Sequence, residues 1–304
     1  MPNPPATTAR ASLRVAAVQL RFQDTLEANL RQLQEGIRRA AHRGADVVVF
    51  PECATTGYNT DFRLLNRAAL RDCLAQVGAT TATHQIHVLL GTPWSAGRKW
   101  YNSLLHFDRQ GQAVYRYDKC HLTARDRMTF VPGRHLALFD LDGVQATAIL
   151  CHERRFPELV RLPVMAGARM IFHPNAGLDP LPVSRRKRDG KDGIAARAFE
   201  NAVPYVFANS VGPQGNGLWS AGDSKILAAD ASVLRLAGNT RPELLIADVD
   251  LTQATASYAL EGITTPRFLS SLWREMIRRV KREARRGRLP SGIPGGSASF
   301  ARSG

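Results

Sequence analysis

Short runs of aliphatic residues recur along the chain from Leu13 onward and alternate with amphipathic stretches. Apolar runs of about four to eight residues are typical of strands buried on both faces, and their alternation with helices is typical of the α/β class. Strands are predicted at LRVAAVQL (13–20), ADVVVF (45–50), HVLLGTPW (87–94), NSLLHF (102–107), TAILC (147–151), RMIFHP (169–174), YVFANSV (205–211), KILAAD (225–230) and ELLIADVD (243–250). Helices are predicted over about 24–43, 61–85, 157–166 and 193–201.

The chain shows no internal repeat and no long linker, so we predict one domain over residues 1–266 and a basic extension over 267–304. The formal charge is +15, and residues 274–304 supply +7 of it, from nine basic and two acidic side chains. A basic excess can attract nucleic acid or anionic lipid. We favour the interpretation that these cations form the solvated face of a terminal helix, so nucleic acid is not the expected partner. The Gly/Ser/Pro-rich end is predicted to be flexible unless a partner subunit orders it.

Composition narrows the class of protein further. A chain of 304 residues with 44% hydrophobic content can bury a large core. No apolar run of about 18 residues and no signal peptide are present, so a cytoplasmic protein without a membrane segment is expected. The four cysteines are scattered singly and are predicted to be free thiols. Because there is no paired-cysteine zinc pattern, no HExxH and no dinucleotide fingerprint, neither a metal nor an organic cofactor is expected.

Three short motifs place a reactive residue at or near the end of an apolar strand. Glu52 follows the strand in VVVFPECATTGY, Lys119 lies in YDKCHL, and Cys151 stands between a strand and a helix in TAILCHERRFPEL. Taken singly, such residues are more often a surface carboxylate, a solvated lysine and a buried packing thiol. The order Glu, Lys, Cys, each with its own flanking pattern, is more specific.

Together these motifs resemble the nitrilase superfamily of carbon-nitrogen hydrolases, in which a Glu, a Lys and a Cys in such segments form the catalytic triad. The similarity extends to FVPG (130–133), GARMIFHPNA (167–176), RAFENAVPYVFANSVG (197–212) and GDSKILAADASVL (222–234), and so covers about residues 12–267. It implies an α/β fold, the four-layer α-β-β-α sandwich of that superfamily. It also implies a homodimer or a higher homo-oligomer.

The resemblance implies hydrolysis of a small amide or carbamoyl compound through a thioester. Cys151 would be the nucleophile and Glu52 the general base. The ammonium of Lys119 would favour the thiolate and, with the backbone amide of His152, stabilise the oxyanion. Family members often carry a second Glu about seven residues before the Gly of the FxPG-like segment. Asp126 stands there, one methylene shorter, so either the backbone approaches more closely or this role is weakened.

The residues after Cys151 bear on the substrate. CHERRFPE is most similar to the corresponding segment of N-carbamoyl-D-amino acid hydrolases, whose paired arginines hold a substrate carboxylate and match Arg154 and Arg155. The resemblance also suggests His152 and Asn175 as substrate-binding residues. As alternatives, Arg155 forms an ion pair with a carboxylate such as Glu158, and His152 only packs or meets solvent.

Other functions remain open on the same sequence. True nitrilases usually carry a Trp directly after the cysteine, and the histidine at that position here favours an amide over a nitrile. An acyltransferase would use the same thioester and pass the acyl group to an amine. A non-catalytic binding protein would retain the fold without needing Glu52, Lys119 and Cys151, so their presence favours an enzyme.

Overall fold

A computed structural model describes residues 10–58, 60–186 and 193–289. Its strands are β1 (Ser12–Gln19), β2 (Val47–Val49), β3 (His87–Ala96), β4 (Lys99–Phe107), β5 (Ala113–Asp118), β6 (Phe139–Leu141), β7 (Val144–Ala148), β8 (Met170–Asn175), β9 (Asp179–Pro180), β10 (Tyr205–Asn209), β11 (Val211–Pro213), β12 (Leu218–Ala221), β13 (Lys225–Leu227), β14 (Val233–Leu236) and β15 (Glu243–Asp250). Its α-helices are α1 (Leu26–His42), α2 (Arg67–His84), α3 (Glu158–Met165), α4 (Leu181–Arg186), α5 (Ile194–Phe199), α6 (Ser257–Thr264) and α7 (Ser270–Ala284).

Two six-stranded sheets stack face to face, and helices cover both outer faces. The strand orders are β15-β1-β2-β3-β4-β5 in the first sheet and β14-β13-β10-β8-β7-β6 in the second. Alternation along β1 shows how the layers form: Ala16 and Val18 pack with α1 and α2, whereas Val15 and Ala17 pack against the second sheet. A third apolar cluster joins the second sheet to α3, α5, α6 and α7. The four-layer α-β-β-α sandwich expected from the sequence is confirmed.

The predicted helix over 61–85 is shorter in the structure because two capping side chains divide it. Asp61 caps a single 3₁₀ turn, Phe62–Leu64. Asn66 then caps α2 by accepting from the backbone N–H groups of Ala68 and Ala69 at 2.9 and 3.1 Å. Strands that the apolar runs did not predict are either short or alternate with polar residues. Strand β5 (AVYRYD), which the sequence indicated only as a strand-like segment beside Lys119, leads directly to that residue.

The basic segment after Pro266 contributes a helix to the outer layer. Helix α7 packs against α3, and Val280 and Ala284 on it are 5% and 3% exposed. The domain boundary at residue 266 stays a prediction, and the predicted flexible end, residues 290–304, lies outside the described residues. Within the described ranges, no helix is long and apolar enough to cross a membrane.

Candidate active site

Three strand ends bring Glu52, Lys119 and Cys151 to the same region of the molecule. Glu52 follows β2 and Lys119 follows β5, both in the first sheet, whereas Cys151 follows β7 in the second. The Glu52 turn crosses β3 at Gly91, where a Cβ atom would lie 2.6 Å from the Glu52 Cα, so only glycine fits there. The site therefore straddles the interface between the two sheets.

Glu52 and Lys119 form a fully buried ion pair. Lys119 Nζ lies 2.8 Å from Glu52 Oε1, which also accepts from the side-chain amide of Asn102 at 2.7 Å. The other carboxylate oxygen, Oε2, accepts from the backbone N–H of Ala176 at 3.2 Å, after β8 in the second sheet. The backbone carbonyl oxygen of Asn102 accepts from the Lys119 backbone N–H at 2.8 Å. Asn102 therefore orients both Glu52 and Lys119.

Asp126 holds the ammonium from its other side. Its Oδ2 lies 2.9 Å from Lys119 Nζ and accepts from the Thr123 N–H and hydroxyl at 2.9 and 3.0 Å. Its Oδ1 accepts a short hydrogen bond from the Tyr58 hydroxyl. The shorter side chain therefore does reach the lysine. Asp126 lines a neighbouring cavity rather than the pocket that holds Cys151.

The three buried charges change one another's pKa. Burial raises the pKa of Glu52 above its ordinary value, since Lys119 offsets only part of the cost of desolvating the carboxylate. Burial alone would lower the pKa of Lys119, but Glu52 and the other acidic groups around it raise that pKa well above its usual range. Burial would also raise the pKa of Asp126, yet Lys119 and Tyr58 hold it below its ordinary value. Lys119 is thus a permanent cation beside a carboxylate with raised basicity.

Cys151 begins a 3₁₀ turn, Cys151–Arg155, that starts three residues beyond the end of β7. Its φ of 50° lies in the left-handed region, which a non-glycine residue adopts only when its surroundings hold it there. His173 contributes to this: its Nε2 lies 3.1 Å from the Cys151 carbonyl oxygen, and its Nδ1 lies 2.8 Å from the Tyr205 hydroxyl. Burial lowers the pKa of His173 well below its usual value, which matches a neutral ring donating from Nε2.

The Cys151 side chain faces a pocket of about 400 Å³. Burial and Glu52 raise the pKa of its thiol to about 12, although Lys119 and Arg154 act in the opposite direction. Ala176 lines the same pocket and donates to Glu52, which connects the ion pair to the thiol. The protonated thiol on the pocket wall thus lies close enough to a buried carboxylate and a buried cation for both to shift its pKa.

The four predicted substrate-binding residues, His152, Arg154, Arg155 and Asn175, all line this pocket. The Asn175 side-chain amide donates to Asn209 Oδ1 at 2.7 Å, which fixes its position at the end of β8. No group of three or more His, Cys, Asp or Glu side chains in the described part of the chain is placed to hold a metal ion.

The sequence motifs did not single out several buried polar residues around this site. They are Tyr58, Asn102, Glu153, His173 and Asn209, each at most 5% exposed. A polar residue inside an apolar run, such as Asn102 at the start of NSLLHF, is the sequence signal that was available for some of them.

Comparisons with known proteins identify the family of the chain. The sequence model of the carbon-nitrogen hydrolase family matches residues 14–258. Over 229 residues the chain is 31% identical to a nitrilase of Pyrococcus abyssi, covering 73% of this chain and 84% of that protein. It is also 31% identical to the 2-oxoglutaramate amidase of Bacillus subtilis over 69% of this chain and 80% of that protein.

Solved structures show the same fold. The chain superposes on a crystal structure of an amidase from Nesterenkonia sp. with a TM-score of 0.75 and 23% identity, over 89% of this chain and 100% of that one. The family match covers both sheets and contains Glu52, Lys119 and Cys151. From the sequence match and the architecture together, the chain belongs to the carbon-nitrogen hydrolase family.

Proposed function

We propose that the protein hydrolyses the C–N bond of a small primary amide or N-carbamoyl compound through a thioester on Cys151. The observation that carries this proposal is the buried contact between Glu52 and Lys119 beside the pocket that Cys151 lines. Amides resist attack by water, and a covalent intermediate divides one hard step into two easier ones.

In the first step the thiol is activated as it attacks. Because its pKa is raised to about 12, Cys151 carries its proton at neutral pH, and that proton passes to Glu52 as the sulfur bonds to the carbonyl carbon. The carbonyl oxygen gains negative charge, which the Lys119 ammonium and the His152 backbone N–H stabilise. One donor of this kind typically contributes about 3 kcal/mol.

In the second step the C–N bond breaks. Glu52 returns the proton to the leaving nitrogen, ammonia departs and a thioester remains on Cys151. Glu52, again ionised, then takes a proton from water as the water oxygen attacks the thioester carbon. When the C–S bond breaks, that proton returns to the sulfur, and the acid is released with Glu52 and Cys151 in their starting states.

The residues that line the pocket favour a substrate that carries a carboxylate. Arg154 and Arg155 both line it, and a guanidinium matches a carboxylate in charge and geometry. The 2-oxoglutaramate amidase among the relatives is named for an amide substrate. We therefore favour N-carbamoyl amino acids, or amides with a distal carboxylate, over simple aliphatic amides.

The test is release of ammonia from a panel of N-carbamoyl amino acids, carboxylated amides, simple amides and a nitrile. Cys151→Ala is expected to abolish release, and Glu52→Gln to lower kcat by about 10²–10⁴-fold, as for loss of a general base. Cys73→Ala, at a buried free thiol on α2, is the matched control and should stay near wild type.

Two results would contradict the proposal. One is no ammonia from any substrate by the wild type, which would favour a non-catalytic binder. The other is undiminished release by Cys151→Ala. Faster transfer to an added amine than to water would instead indicate an acyltransferase.

A further inference from the structure

Glu153, two residues after Cys151, carries a buried carboxylate that the proposed reaction does not use. We infer that Glu153 is a positioning residue, which fixes the loop carrying Lys119 to the turn carrying Cys151. The inference rests on the proposed function, but its test includes a measurement that does not require turnover.

Glu153 accepts hydrogen bonds from both loops at once. Its Oε1 accepts from the backbone N–H groups of Cys120 and His121 at 2.6 and 3.0 Å, in the segment that directly follows Lys119. Its Oε2 accepts from the backbone N–H of Leu150 at 2.8 Å, directly before Cys151. The hydroxyl of Tyr117, on β5, lies 2.9 Å from both oxygens.

These contacts cross between the two sheets. Tyr117, Cys120 and His121 belong to the chain around the end of β5 in the first sheet, whereas Leu150 follows β7 in the second. The Ala176 N–H bond to Glu52 is a second polar link between the sheets at the same site. Since the apolar layer between the sheets is not directional, hydrogen bonds of this kind set the relative position of the two loops.

Only a carboxylate satisfies this set of donors. Glu153 is fully buried, and every group that it contacts here is an N–H or an O–H. A glutamine of the same shape has one accepting oxygen, so its NH₂ group would face an N–H of one loop and release that loop. A small displacement of Lys119 relative to Cys151 weakens both activation of the thiol and stabilisation of the oxyanion.

The experiment compares Glu153→Gln with Glu158→Gln, the same substitution at an exposed carboxylate five residues along. Steady-state kinetics, thermal unfolding and the rate of Cys151 alkylation by iodoacetamide at about pH 8 are measured for both. For Glu153→Gln we expect kcat to fall about 100-fold, as for a misalignment of about 1 Å, with KM within about threefold of wild type. Glu158→Gln should match wild type.

The alkylation rate of Cys151 distinguishes a positioning role of Glu153 from the simple loss of its negative charge. Removing a negative charge near Cys151 would lower the thiol pKa and speed alkylation. Loss of alignment with Lys119 raises the thiol pKa instead, and a rise of about one unit slows alkylation about tenfold. Slower alkylation with a folded protein is therefore the result we expect.

The inference is overturned if Glu153→Gln is folded and keeps both kcat and the alkylation rate within about threefold of wild type, or if alkylation becomes faster. If Glu153→Gln does not fold, Glu153→Asp decides by the same criteria, because it keeps the charge but is one methylene too short to span both loops. If the wild type hydrolyses nothing, the proposed function fails, while the alkylation comparison still tests the role of Glu153.

Discussion

At the scale of single residues, the thiol of Cys151 is held in its protonated form, because burial and Glu52 raise its pKa to about 12. Below its pKa, the thiolate fraction rises about tenfold for each pH unit. We therefore expect alkylation of Cys151 by iodoacetamide to rise at about that rate from about pH 7 to about pH 10 without levelling. The measurement is the second-order rate constant at each pH, with Cys151→Ala used to subtract reaction at Cys120.

A low-pKa thiolate would behave differently. If Cys151 formed a standing ion pair with Lys119, its alkylation rate would level off well below about pH 9. Such a plateau would contradict the role of Glu52 as the group that takes the proton during attack.

Asp126 gives a prediction about stability and pH. Burial acts to raise its pKa, but Lys119 and Tyr58 hold it below the ordinary value, so its ionised form is favoured by folding. Its contribution to the free energy of unfolding is therefore present above the unfolded pKa and is lost as the pH falls through the folded pKa. For Asp126→Asn we expect a loss of about 3 kcal/mol at pH 7, because the variant breaks a buried charge pair.

That loss should shrink in acid. Urea unfolding at about pH 7 and about pH 3 measures it, with Asp72→Asn, at an exposed aspartate, as the control. A difference from wild type that stays constant between the two pH values would show that the charge of Asp126 is not the source of its effect.

The residue scale also shows what sequence can and cannot predict. Glu52, Lys119 and Cys151 are identifiable because each has a distinctive local flank at or near the end of a strand. Asn102 has no such flank, and Glu153 lies within the Cys151 motif without a sequence signal of what its carboxylate contacts. Their importance comes from contacts over 50, 33 and 32 residues of sequence, which no local pattern encodes.

At the scale of elements, apolar runs predicted the central strands well because these strands are buried on both faces. Strand β5 was indicated only as a strand-like segment beside Lys119, because Arg116 and Asp118 interrupt its apolar run. Strand β13 ends at Leu227, three residues before the predicted end at Asp230. The helix predicted over 61–85 is divided by the caps at Asp61 and Asn66. Boundaries of this kind depend on side-chain hydrogen bonds, which the apolar pattern does not contain.

Helix α7 supports a prediction at this scale. Val280 is 5% exposed between α7 and the rest of the outer layer, so Val280→Ala should lower the free energy of unfolding by about 1–2 kcal/mol. Alanine favours helix more than valine does, so a loss would report packing rather than helix propensity. Urea unfolding measures it, and exposed Lys281→Ala is the control. No loss at Val280 would mean that α7 does not stabilise the domain.

At the scale of the whole molecule, the four-layer architecture follows from a periodicity that recurs strand by strand. Each inner strand places alternate residues in different layers. Helices on both sides cover the apolar residues on the outer face of each sheet. The charge of +15 does not affect this architecture, since cations such as Arg278 and Lys281 on α7 point outward. The pattern of apolar residues along the chain does not predict whether the outer helices contact another subunit.

Exposed aromatic residues on the outer layer favour self-association. Phe199 on α5 and Tyr258 on α6 are 60% and 51% exposed, and their ring centroids lie 6.3 Å apart. Adjacent exposed aromatic side chains often mark an interface, and a second copy of the chain is the partner that we predict. We expect the wild type to be a dimer or larger by light scattering, and Phe199→Glu with Tyr258→Glu to yield monomers, because two charges would then have to be desolvated in the contact.

A matched substitution locates the effect. Val233→Glu introduces the same charge at a 57% exposed apolar residue on β14 and should leave the measured mass unchanged. A monomeric wild type would contradict the prediction of a homo-oligomer. An unchanged mass for the double variant would instead place the interface on another face. If both variants yield monomers, the added negative charge rather than the position of the aromatic pair would account for dissociation.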